Sequence, residues 1–217
     1  MIQSDFHHYI VIGCSDKMGI NTLLDIVGSI IVGGLLLLIL FRLNASATSN
    51  LYNNNSELIV QQAMVSVVEV LESDFRKIGY CKDWNKIPDP TKSILYADSS
   101  KIKYLTDLDN NGVVDTLQYY IGPTSELLNT PNPRDRLLYR VVNSEVPKSS
   151  NVGITRFKLT YYTVLGDTIK TLPVANTGQI HTIQIDVETE NAESIDSQYV
   201  TAFWRQVKLS ARNLQNR

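Results

Sequence analysis

The stretch "DLDNNGVVD", residues 107–115, sets Asp107, Asp109, Asn111 and Asp115 at every second or fourth place, with Gly112 among them. Oxygen ligands at that spacing, with a glycine for the sharp turn, suit a hard divalent cation such as calcium. Val113 offers its backbone carbonyl as a further ligand. The twelfth place counted from Asp107, where such loops supply a bidentate glutamate, holds Gln118. A site here is therefore expected to be weaker or to close differently. The flanks read as strands, so the same residues also fit a β-hairpin whose tip is Asn-Asn-Gly, with the aspartates solvating the turn. The two readings are compatible.

The second residue with chemistry to explain is Asp25. It sits in "GINTLLDIVGSIIVGGLLLLILF", residues 19–41, a stretch with no other charge. A carboxylate inside hydrocarbon costs kilocalories unless it finds a partner, and such residues often have a function. Taken as a helix, residues 23–43 are about 31 Å long, enough to cross a bilayer. The segment is apolar all round instead of striped, which argues against a buried core helix. "NASATSN" after it matches a signal-cleavage site only loosely, so a single membrane anchor is expected. A buried acid can alternatively be a first-turn residue favoured by the helix dipole. Ser29 and Gly33 form a small-x-x-x-small face that allows close helix packing, although glycine is also common in membrane spans.

Catalytic constellations are absent. His7 and His8 lie in the first 17 residues, which show no clear pattern, and His181 opens a strand-like run. No G-x-S-x-G, H-E-x-x-H, P-loop or C-x-x-C occurs, and no enzyme is expected. Beyond residue 43 the chain carries 18 basic and 19 acidic residues and no basic run, so it offers no electrostatic footprint for nucleic acid. Cys14 and Cys81 fall on opposite sides of the expected span, and no disulfide follows from them. Translation could begin at Met1 or at Met18.

Met64, Val68, Leu71, Phe75 and Ile78 recur at helical spacing. Gln61, Gln62, Ser66, Glu69, Asp74 and Lys77 mostly take the other sides. Ser56 is the expected N-cap and Gly79 the expected stop. Asn53, Asn54 and Asn55 are poor helix formers, so a helix in two parts is predicted. After a Pro-marked loop, seven segments rich in Ile, Val, Thr and Tyr alternate apolar and polar residues, the pattern of half-buried antiparallel sheet. The expected class is α+β, with a long N-terminal helix packed through its amphipathic half on an antiparallel β-sheet head. The expected divisions are a leader or disordered segment at 1–19, a helix at 20–79 with its anchor at 23–43, and a β-rich head at 80–217.

This arrangement resembles the type IV pilin-like proteins, in which a short leader and a G-F-T-L-x-E cleavage site precede an apolar helix and a β-rich head. "GINTLLD" looks like that site, with Asp25 in place of the acidic residue, one position later than the family spacing and without the aromatic that follows the glycine. "LESDFRKIGYC", residues 71–81, is similar to the stretch that closes the long helix in minor pilins of the PilW type and in J-type pseudopilins of type II secretion. Asp74, Arg76, Gly79 and Tyr80 carry that similarity. The acidic loop followed by "LQYYI" and "RLLYRVV", and the closing "RQVKLSARN", resemble their strands. The resemblance implies a minor pilin or pseudopilin, a non-catalytic subunit acting in filament initiation or at the tip. It implies an inner-membrane anchor with a periplasmic head, other pilin or pseudopilin subunits as partners, and a prepilin peptidase acting after Gly19, ahead of Ile20. In the family the buried acid is thought to pair with a neighbouring subunit's N-terminal amine, which would compensate Asp25 on assembly. The competing expectation is a membrane-tethered periplasmic binding or adhesin module that does not polymerise.

Overall fold

The computed structural model of the protein describes residues 15–192 and 199–209. Expectations for His7, His8 and Cys14, and for the terminal Arg212 and Asn213, fall outside these residues. The chain divides into two compact units, residues 1–52 and 53–217. One helix, α1 (Ser15–Arg76), supplies the described part of the first unit and the opening of the second.

α1 therefore starts inside the segment expected to be a leader, and it runs without a break through Asn53, Asn54 and Asn55. Ser56 is not an N-cap; it is a buried residue within the helix. The reason is energetic. Each asparagine lowers helix stability by well under about 1 kcal/mol, less than starting a second helix would cost. In the first unit, α1 is long and apolar enough to cross a membrane, and none of its apolar window is buried within the molecule. That separates it from the core helix of a soluble domain.

In the second unit α1 buries Val60, Met64, Val67, Leu71 and Phe75, and Ile78 follows in the turn after it. Each side chain so buried contributes about 1.5–3 kcal/mol. The helix ends at Arg76, and the chain leaves through Gly79, whose φ of +71° suits a residue without a Cβ. Gly79 donates its N–H to the Leu105 carbonyl at 2.9 Å, which ties the helix exit to the sheet.

The sheet has seven antiparallel strands in chain order: β1 (Ile94–Ala97), β2 (Lys101–Thr106), β3 (Asp115–Ile121), β4 (Arg136–Val142), β5 (Lys148–Tyr162), β6 (Thr182–Glu190) and β7 (Thr201–Leu209). Alternation places Ile102, Tyr104, Leu117, Tyr119, Leu159, Tyr161, Ile183 and Ile185 on the buried face. The sheet curls, so that the turn after β1 meets β5. Leu159 donates to the Ser99 carbonyl at 2.7 Å, and the Tyr161 hydroxyl to the Asp98 carbonyl at 2.8 Å. Phe75 inserts from the helix between Tyr104 and Tyr119, with ring centroids 5.6 Å from each. The fold is α+β, as the alternating segments predicted.

Candidate functional site

The acidic loop joins β2 to β3, so its flanks are strands. Ligand oxygens of Asp107, Asp109 and Asp115 all lie within 4.8 Å of one another, the span across a cation with oxygens at about 2.4 Å on either side. Asp107 organises the loop. Its Oδ1 accepts the Asn111 N–H at 3.0 Å, and its Oδ2 accepts those of Gly112 at 2.9 Å and Lys82 at 3.0 Å. Asp107 is buried, enclosed by N–H groups of its own loop and of Lys82. Burial alone would raise its pKa; the N–H groups of Lys82, Gly112, Asn111 and Asn110 outweigh burial and hold the carboxyl below its usual range.

Asp109 is held by the Asn111 N–H and side-chain amide, at 3.2 and 2.8 Å. Asp115 accepts from the Leu108 N–H at 3.1 Å and from the Asn143 amide at 2.8 Å. A carboxylate has about four acceptor positions, so Asp109 and Asp115 keep capacity for a cation, and Asp107 keeps less. Asn111 turns its Oδ1 to the Val113 N–H at 2.7 Å. Gln118 lies within β3, opposite Lys103 and Val141, while its neighbours Leu117 and Tyr119 point into the core. It stands on the face away from the core and does not close the loop. The donor set suits a hard cation held by few protein ligands. Two contacts brace this loop against the end of the helix: Lys77 Nζ donates to the Leu108 carbonyl at 2.8 Å, and the Tyr80 hydroxyl to Asn110 Oδ1 at 2.6 Å.

A second constellation joins the helix to the sheet. Asp74, 5 % exposed, accepts from Arg140 Nε at 2.7 Å and from the Tyr119 hydroxyl. Arg140 Nε also reaches the Tyr119 oxygen at 3.0 Å. Burial, then the adjacent Asp74 carboxylate, push the Tyr119 hydroxyl far above its ordinary pKa, partly offset by Arg140. It therefore stays protonated and donates. Asp74 Oδ2 takes both donors, so the three groups clamp the helix to the sheet.

Sequence patterning put Asp74 among the polar residues on the outer sides of the helix, and the structure corrects this. Asp74 lies three residues after Leu71 and four before Ile78, on the buried stripe itself. That spacing was the available signal. Arg140, 66 residues away, carries no local signal beyond its place in a strand-like run. Arg76, quoted beside Asp74, instead pairs with Glu72 at 3.5 Å on the exposed side.

In the first unit Asp25, Ser29 and Gly33 recur at four-residue spacing along one exposed helix face, and Ser29 Oγ donates to the Asp25 backbone carbonyl at 2.7 Å. Among the described residues the Asp25 carboxylate has no side-chain partner. Gly19 and Ile20 lie within α1 and are exposed. Cys81 is a free, buried cysteine. The chain matches no protein-family model and no curated protein.

Proposed function

We propose that this chain is a minor pilin or pseudopilin, a non-catalytic subunit of a type IV pilus or type II secretion filament that acts in initiation or tip assembly. One observation carries the proposal. A single helix, α1, contains both an unburied apolar stretch with one acidic residue and the stripe that packs a β-rich head. A subunit of this kind sits in the inner membrane by α1, with its head in the periplasm. Its partners are other pilin-like subunits, which pack on the face of Asp25, Ser29 and Gly33 and compensate the Asp25 charge on assembly. Calcium held by Asp107, Asp109 and Asp115 with Asn111 and the Val113 carbonyl stiffens the β2–β3 loop against the helix end.

The test is the N-terminal residue of the chain extracted from membranes, measured by mass spectrometry. A chain beginning at Ile20 or Asn21 agrees with processing by a prepilin peptidase. One beginning at Met1 or Met18 removes the filament reading and leaves a tethered binding module. Asp25→Ala is expected to insert normally and to fail in assembly; normal incorporation would remove the role given to Asp25.

A further inference from the structure

Asn111 is followed by Gly112, and no other asparagine of the chain precedes a glycine. In such a pair the backbone nitrogen of the glycine can attack Cγ of the asparagine, because a glycine has no Cβ to obstruct the approach. The bond from Cγ to the side-chain nitrogen then breaks. Ammonia leaves, carrying the proton that the Gly112 nitrogen gives up. Water opens the resulting succinimide ring to an aspartate or to an isoaspartyl link. No atom changes oxidation state, and water is the one co-reactant. Asn111 is exposed, so water reaches it.

The loop holds each of the reacting groups. The Gly112 N–H, on the attacking nitrogen, donates to Asp107 Oδ2 at 2.9 Å. The amide that must leave donates from Nδ2 to Asp109 Oδ2 at 2.8 Å. Asn111 Oδ1 accepts the Val113 N–H at 2.7 Å. These bonds act in opposite directions. The Val113 N–H lies on the oxygen where negative charge gathers as the ring closes, and so favours attack. Asp107 is placed to take the proton from the attacking nitrogen. Burial raises its pKa, but the surrounding N–H groups outweigh burial and keep the carboxyl below its usual range, which makes it a weak base. Its bond therefore restrains the nitrogen more than it activates it. Bonds to ionised groups are about twice as strong as neutral ones, so the two carboxylates outweigh Val113. The nitrogen must turn from Asp107, and the side chain from Asp109, before the two can meet.

We propose that Asn111 is a deamidation site whose rate is set by the carboxylates of Asp107 and Asp109. Conversion to aspartate adds a negative charge to a loop that already holds Asp107, Asp109 and Asp115. Conversion to the isoaspartyl link makes the backbone one carbon longer at the turn, beside the contact of Asn110 with Tyr80. The modification is slow and irreversible, and it falls where the loop braces the end of the helix. Its effect on cation affinity rests on the calcium reading above, whereas the deamidation itself is independent of that reading and of any filament.

The test ages the full chain in detergent, in mildly alkaline buffer without calcium, beside the same chain unfolded in guanidinium chloride. Proteolytic peptides covering residues 107–115 are weighed by mass spectrometry, and chromatography separates the aspartyl from the isoaspartyl product. The expected result is conversion at Asn111 in both samples, slower by about tenfold or more in the folded chain, where charge-assisted bonds must open first. Asp109→Ala should raise the folded rate about tenfold and leave the unfolded rate unchanged. Asp109 is exposed, so the variant should fold, which circular dichroism checks. Equal rates in the folded and unfolded chain, or no acceleration in Asp109→Ala, remove the control given to the carboxylates and overturn the proposal. Conversion confined to the unfolded chain, with folded parent and variant both intact, removes the site and overturns it as well.

Discussion

Replacing Arg140 by methionine leaves the Asp74 carboxylate in the interface between helix and sheet with the Tyr119 hydroxyl as its remaining side-chain donor among the described residues. Removing one partner of a buried ion pair destabilises by about 3–5 kcal/mol, because the other charge stays behind without compensation. Two observations reduce that figure here. The Arg140 side chain is 26 % exposed, so water screens part of the attraction, and Tyr119 still donates. The expected loss for Arg140→Met is thus about 2–3 kcal/mol, a fall in melting temperature of about 5–10 °C for a head of this size. The triple variant Asp74→Leu, Tyr119→Phe, Arg140→Met removes the charges and the hydroxyl together. It should lie within about 1 kcal/mol of the parent, since a buried polar set exchanged for apolar groups of similar volume is close to neutral. Urea unfolding of the full chain in detergent measures both, with Trp204, packed at the core's edge on β7, as the fluorescent reporter. If the single substitution costs less than about 1 kcal/mol, or the triple variant loses as much as the single losses added together, the clamp is a surface pair and the reasoning fails.

Calcium should raise the melting temperature of the head with a dissociation constant of about 10⁻⁴–10⁻³ M, as suits a loop without the closing glutamate; an unchanged melt in Asp109→Ala and in the parent alike would dismiss the site. Gly153 has φ +69° and its Cβ would strike the Glu190 carbonyl. Gly153→Ala should therefore cost clearly more than the about 1–2 kcal/mol of a left-handed residue, whereas Gly166→Ala, at φ +87° in open space, should cost no more than that; denaturant midpoints compare them. Asp135 is buried, and its Oδ1 has no hydrogen-bond partner. Burial raises its pKa, a bond from Thr130 opposes this, and the Glu190 carboxylate adds to the rise. A raised folded pKa means that the penalty is absent below the unfolded value of about 3.9 and grows as pH climbs through the folded one. Asp135→Asn should melt above the parent at neutral pH and level with it below the unfolded value. A difference that does not vary with pH would refute that account.

Much of the architecture was legible because it depends on local periodicity. Alternation in "KIKYLT" or "TIQIDV" identifies a strand and its buried face wherever the strand lies, and Met64, Leu71 and Phe75 mark a helical stripe by their spacing. The unburied apolar run of α1 and the turn at Asn111-Gly112 were legible for the same reason. Other features needed the tertiary structure. That Asn53 to Asn55 stay helical is decided by the helical residues on both sides of them. That Gln118 cannot close the acidic loop is decided by its place on β3. Asp74 meets Arg140 and Tyr119 through strand registers set by long-range pairing. Local sequence specifies period and polarity. Which distant groups share a low-dielectric interface is fixed when the sheet closes on the helix.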